Sequence, residues 1–275
     1  MTDAISNIII LSAPLALASF GALTSEYAGR MAVFTDGIIN LSAFLCYTFT
    51  VSMHSVAAGV LLSCLCCTAI IFAASRVVER ANPFLASLGI NMLTGALISV
   101  ISVVTFGTRG VLFSEHFAFP AFETRIATTI AAGAVIAAGI AFLFLTKHGL
   151  YMRITGSDSD VLASRGVSVP HFRTAAWCIA ALYAALAGCV LSFRLSSFVP
   201  NISSGRGWLA LAAVFLGKRS CTGTIAAVLV MSAGEYVAAH MQNVFARISS
   251  PLLISLPYIV ALLLIMLMPG KNSNS

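Results

Sequence analysis

The sequence predicts an all-α polytopic transmembrane helical bundle of eight or nine spans, and three observations predict it. Apolar residues make up 59% of the 275 positions and charged residues only 9%, against roughly 25% charged in a soluble domain. Apolar runs of about 20 residues, the length a helix needs to cross a ~30 Å hydrocarbon core, recur from one end of the chain to the other. These runs are uniform rather than alternating, so the backbone hydrogen bonds close within helices and not between the strands of a barrel.

The spans are expected at 5–23, 37–53, 55–74, 84–106, 126–146, 174–193, 207–217, 222–243 and 251–268. The run 207–217 is short, and reads either as a crossing or as a re-entrant hairpin, which is tolerated at membrane depth only where protein or a cavity surrounds it. No soluble domain fits between the runs, so 1–275 is read as one transmembrane domain. The first run begins at Ala4 with Asp3 as the only charge before it. It lacks the basic n-region of a secretory signal and is expected to be a retained helix. Lys147, Arg153, Arg165 and Arg173 place the longest polar stretch, 147–173, in the cytoplasm, because loops rich in Lys and Arg stay inside. Alternation then puts Arg76 and Arg80 inside and the segment 107–125, with Glu115, His116 and Glu123, outside.

Several function classes are excluded by what these residues lack. The net charge of +6 is scattered over loops rather than gathered on one face, which argues against nucleic acid. No G-x-x-x-x-G-K-[ST] loop occurs, and Gly217-Lys218 lacks both the upstream Gly and the following Ser or Thr. The five histidines, His54, His116, His148, His171 and His240, are dispersed, and neither a nucleophile triad nor H-E-x-x-H is present. The seven cysteines, Cys46, Cys64, Cys66, Cys67, Cys178, Cys189 and Cys221, lie mostly inside apolar runs without a His cluster, and read as buried thiols rather than a metal or redox site. The chain is therefore not expected to be an enzyme or to bind a metal or cofactor of its own.

Polar residues inside apolar spans are the candidates for function, since each is costly at membrane depth. Asp36 opens the second span, where it either faces a cavity or partner or caps the helix that starts at Gly37. Ser87, Asn91, Thr94, Ser99 and Ser102 fall along one face of the fourth span. That stripe offers donors and acceptors to a substrate rich in hydroxyl and amide groups, or else hydrogen-bonds between helices. Glu235 and Gln242 stand two turns apart on one face of the eighth span. Glu235 is a carboxylate in apolar surroundings that either serves a substrate path or pairs with Arg194, Arg206 or another helix. Gly205 and Gly207 allow a tight turn of positive φ, and the neighbouring Trp208 reads as an interface anchor. Phe20, Phe34 and Trp208 are aromatic groups that either stack on a flat ring substrate or, as expected for most of them, pack toward lipid.

Within 147–173, Asp158 can cap a two-turn helix from Ser159 to Arg165, with Ser157 and Asp160 as a capping-box pair and Gly166 as the αL residue that stops it. Val161 and Leu162 then form an apolar knob between charges, a shape that fits a groove on another protein, unless the segment is a surface loop that merely links two helices.

The run Gly149-Leu150-Tyr151-Met152-Arg153-Ile154-Thr155-Gly156, followed by Gly166-Val167, resembles the cytoplasmic loop of ABC-importer permeases of the branched-chain amino acid, simple sugar and nucleoside type. Pro200-Asn201, Gly205-Arg206-Gly207, Ala210, Ala212, Ala213, Leu216-Gly217 and Gly223 are similar to the segment that precedes the last helices of that family. Pro14, Gly21, Gly29, Asp36-Gly37 and Ala43 match its N-terminal pattern, and Asn91, Thr94 and Gly95 match its helix after the first cytoplasmic loop. The family usually has Asn where this chain has Ala32 and Glu where it has Asp36.

The resemblance implies a permease subunit of an ATP-binding cassette importer, most like the paired permeases of nucleoside and riboflavin importers. It implies that 147–173 couples to an ATPase through Arg153, Gly156, Asp158, Val161, Leu162, Arg165 and Gly166, and that Pro200, Asn201, Gly205 and Gly207 form a structural loop. ATP would be hydrolysed by the partner subunit. The partners implied are a second, homologous permease chain, the ATPase and an extracytoplasmic substrate-binding protein, in the inner membrane of a bacterium. The expected substrate is riboflavin or a purine nucleoside, with a simple sugar or branched-chain amino acid as the alternative within the class. An ion-coupled secondary transporter is the rival class, and would show matching broken helices in two halves.

Overall fold

A computed structural model describes residues 2–78 and 82–244 and the isolated positions 258, 259 and 262, the side chains at 2, 3 and 242–244 excepted. Ten α-helices occur among the described residues: α1 (Thr2–Tyr27), α2 (Thr35–Met53), α3 (Val56–Val78), α4 (Pro83–Phe106), α5 (Ala121–Leu145), α6 (Lys147–Ser157), α7 (Ser159–Ser164), α8 (Val169–Leu195), α9 (Arg206–Leu216) and α10 (Cys221–Val244). A 3-10 turn covers Glu115–Phe117, and the only extended pairing among these residues is an isolated antiparallel bridge between Leu112 and Phe198.

Six of the helices, α1, α3, α4, α5, α8 and α10, are long and apolar enough to cross a membrane. That is fewer than the eight or nine spans expected. The difference has a physical reason. Helix α2 is 19 residues long and carries Asp36 and Asn40, yet α3, α4, α8 and α9 surround it. A helix that meets only protein needs no lipid-compatible surface. Helix α9 has 11 residues and is therefore about 16 Å long. The last expected span, 251–268, falls outside the described residues except at Tyr258, Ile259 and Leu262.

The bundle is organised around α1, α2 and α8. Small residues allow the approach: the Cα of Gly21 faces Ala180 and Tyr183, and Gly188 sits against Ile39 and Ser42, where any side chain would collide. Large aromatics fill the remaining space, with Phe20 against Tyr183 at 4.9 Å and Phe34 edge-on to Trp177 at 5.3 Å. Both phenylalanines are buried in this core, so neither is free to stack on a substrate. Helices α4 and α5 lie at the periphery and expose Met92, Val104, Phe122, Ile130 and Leu145, as helices bathed in hydrocarbon do.

The two ends of the bundle are distinguished by their contacts. At one end, Gly156 packs against the backbone of Tyr27 and Gly29, and Arg219 pairs with Glu26 at 2.9 Å. At the other, Leu112 bridges Phe198, His54 lies 4.6 Å from His116, and the Phe119 N–H donates to Ser196 Oγ at 3.1 Å. The chain between Ser196 and Arg219 thus runs from one end to the other, the first half as an irregular loop and the second as α9.

The segment 147–173 is more helical than expected, because α6 precedes the predicted two-turn helix. Thr146 caps α6 by accepting from the Gly149 N–H at 3.1 Å, and Gly149, Met152 and Thr155 form its buried face. Asp158 caps α7 through the Val161 N–H at 3.3 Å, and Gly166 stops it with φ +73°. The capping-box pair does not form: Ser157 belongs to α6 and its hydroxyl donates back to the carbonyls of Arg153 and Ile154. The knob also divides. Leu162 is 2% exposed, whereas Val161 is 42% exposed.

Candidate functional site

Two helices begin inside the bundle rather than at its surface. Every helix N-terminus leaves N–H groups without an intrahelical partner, and away from water each costs several kcal/mol unless satisfied. Phe34, at the N-cap of α2, supplies no side-chain acceptor. The acceptors come from α4 instead. Ser87 Oγ receives the Phe34 N–H at 2.9 Å and Asn91 Oδ1 receives the Gly37 N–H at 2.5 Å. Thr94 donates to the Asn91 carbonyl at 2.8 Å and packs over Gly37. The polar stripe of α4 therefore follows one face at 87, 91, 94 and 102 because that face lies on α2, while Ser99 is exposed and bonds only to Gly95 of its own helix.

Helix α9 is capped in turn by α2. Asp36 Oδ1 accepts the Gly207 N–H at 2.9 Å, so one carboxylate sits in the first turn of α2 and at the start of α9, near two positive helix ends. Gly207 is helical, and its requirement is close approach: a Cβ there would fall on the backbone N and Cα of Asp36. Gly205 is the position of positive φ, at +82°, following Asn201 and Ser204, which are also left-handed. Asn40 holds this loop by accepting the Ser203 N–H at 2.9 Å and donating to Ser203 Oγ at 2.8 Å. The Tyr258 hydroxyl adds a 2.7 Å bond to the Ser204 carbonyl.

Arg206, at the first position of α9, places a cation where the helix dipole opposes it. Glu235 of α10 offsets it at 3.3 Å, both side chains being mostly buried. Breaking such a pair from one side leaves an uncompensated charge, at a cost of about 3–5 kcal/mol when fully buried. Arg206→Gln or Glu235→Gln alone is expected to lower the thermal midpoint in detergent more than the double substitution does. Equal losses that simply add would show that the two groups do not interact.

Of the six residues expected along a substrate path, Asp36, Ser87, Asn91 and Thr94 come together at the start of α2, and Glu235 joins them through Arg206. The side chain of Gln242 lies outside the described residues. Arg153 spreads over the Phe144 ring at 4.6 Å, Arg165 is exposed at the end of α7, and Pro200 and Asn201 open the loop that leads to α9.

Beside this junction lies a cavity of about 420 Å³ between α1, α5, α8, α10 and the 200–206 loop, bordered by Asn7, Arg125, Arg194, Arg206, Tyr236 and His240 among others. Sequence reasoning missed it. The signal was Arg194, an ionisable residue at the end of an apolar run, which meets the same criterion that singled out Glu235. Among the described residues Arg194 pairs with no carboxylate: it donates to Thr128 Oγ1 at 3.1 Å, Thr129 Oγ1 at 2.9 Å and the Ile10 carbonyl at 2.6 Å.

An apolar helical bundle with six helices long enough to span a bilayer, enclosing a polar junction of two interior helix starts, defines a multi-pass membrane protein. The chain belongs to the family of permease components of branched-chain amino acid transport systems, whose model matches residues 4–269. It is 24% identical to a guanosine ABC transporter permease, NupQ, of Bacillus subtilis, over 93% of this chain and 88% of that protein. It is 22% identical to a nucleoside ABC transporter permease, NupC, of Lactococcus lactis, over 97% and 92%. Among solved structures, a putative metal-chelate type ABC transporter in an inward-facing conformation superposes with a TM-score of 0.57 at 17% identity, over 96% of this chain and 85% of that one. The PsaBC complex of Streptococcus pneumoniae superposes with a TM-score of 0.55 at 13% identity, over 98% and 93%. These two likenesses concern the fold.

Proposed function

We propose that this permease imports a purine nucleoside across the inner membrane of a bacterium, working with a second permease chain, an ATPase and an extracytoplasmic binding protein. The observation that carries the reading is the near full-length match to two nucleoside permeases. Riboflavin shares the flat ring and hydroxylated chain of a nucleoside and is the second substrate to test. Under this reading the 147–173 end faces the cytoplasm, α2, α9 and the segment 251–268 complete the eight or nine crossings, and α6 and α7 receive the force of ATP hydrolysis. An importer has to favour different conformations with and without ATP, so the loop's contact with the ATPase must differ in free energy between them.

Uptake of labelled guanosine into cells expressing the complete transporter tests the proposal. Uptake is expected to persist when ionophores collapse ion gradients at constant ATP, and to be competed by other purine nucleosides more strongly than by riboflavin or ribose. Uptake abolished by the ionophores would favour an ion-coupled transporter. Stronger competition by riboflavin or ribose would reassign the substrate within the importer class.

A further inference from the structure

We infer that the cavity bordered by Arg125, Arg194 and Arg206 is a binding site for a compact phosphate-class oxyanion. The inference is independent of which solute the permease carries. Three guanidinium groups border a space of about 420 Å³ between the ends of α1, α5, α8 and α10 opposite the 147–173 loop. Among the described residues Glu235 is the only carboxylate in ion-pair contact with any of them, through Arg206. Among the described residues neither Arg125 nor Arg194 has an acidic partner, so no ion pair among these residues compensates the two positive charges in the cavity lining.

Arg194 is also preorganised. Three of its five N–H donors are fixed by Thr128, Thr129 and the Ile10 carbonyl, which holds the planar fork in one place and leaves two donors over. A rigid guanidinium with two spare donors suits a phosphoryl group better than a carboxamide or hydroxyl. Arg125, exposed on the first turns of α5, supplies a second charge to the cavity lining. Tyr236 and Asn7 add neutral polar groups to the wall. Charges confined at a low-dielectric wall raise the local concentration of anions well beyond that in bulk water. The phosphate has two possible sources, a free phosphate or phosphomonoester and the headgroup of an anionic lipid.

Purified protein in phosphatidylcholine nanodiscs is titrated with inorganic phosphate at constant ionic strength, the thermal midpoint being followed and chloride serving as control. A saturable rise with phosphate and none with chloride is expected. Arg125→Gln, at an exposed position, should keep the fold and weaken the apparent affinity by about tenfold. Repeating the titration in phosphatidylglycerol nanodiscs separates the sources. A phosphate response that vanishes there, while the Arg125→Gln protein loses the midpoint gained from phosphatidylglycerol, assigns the site to the lipid headgroup. A response unchanged in phosphatidylglycerol assigns it to a soluble phosphate. Identical responses to phosphate and chloride, or a response that Arg125→Gln leaves intact, would overturn the inference.

Discussion

Val161→Asp is expected to yield a folded, membrane-inserted permease whose uptake falls at least tenfold while its assembly into the membrane is unchanged. Val161 is 42% exposed on α7, a helix of six residues fixed at both ends by the Asp158 cap and the Gly166 stop. Its side chain is not part of the core formed by the described residues. An apolar residue held rigidly among Asp160, Ser164 and Arg165 is suited to a pocket on another protein, and a carboxylate there would have to be desolvated without a partner. A loss of about 1.4 kcal/mol in the coupling contact is a factor of ten. The measurement is uptake together with ATPase stimulation by the loaded binding protein. If both survive the substitution, α7 is a connector and not a coupling element. Leu162→Asp is the wrong probe, because Leu162 is buried and its loss would damage the loop itself.

Gly207→Val is expected to have the larger effect on the fold. Any Cβ at this position lands on the backbone of Asp36, which cannot rotate away as a side-chain tip can. Helices α2 and α9 must separate, and with them goes the bond from the Gly207 N–H to Asp36. Overpacking costs about 1–3 kcal/mol and the lost cap about 1–2 kcal/mol more, so the thermal midpoint should drop sharply and uptake should be absent. Asp36→Asn keeps an acceptor of the same shape, and should cost about 1 kcal/mol or less. If Asn at position 36 were as damaging as Val at 207, the charge of Asp36 would matter beyond capping, which is the outcome expected of a residue that touches substrate.

These two cases differ in how visible they were. The exposed knob on α7 was half legible: Asp158 and Gly166 mark the start and stop of a short helix in any sequence, but the 100° step between Val161 and Leu162 decides which of them points inward, and that depends on where α8 lies. Helix α6 was overlooked because Gly149 and Gly156, poor helix formers in isolation, are there for packing against Leu143 and Tyr27. Gly207 was read as a turn residue, and it is instead a contact point between helices far apart in the chain. The polar stripe of α4 was recognised as a face. Its partners, the N–H groups of Phe34 and Gly37, were invisible, since nothing local reveals that a helix will begin at depth.

The sequence by itself determined the class of the molecule, the positions of its long helices and the location of its polar loop. These follow from local properties: the free energy of placing each residue in hydrocarbon, and the need of each backbone segment to satisfy its own hydrogen bonds. The tertiary structure alone decided what Asp36, Ser87, Asn91 and Glu235 do and which arginines share a cavity. A buried polar group takes its meaning from its partner, and the partners here are between 29 and 171 residues away in the chain.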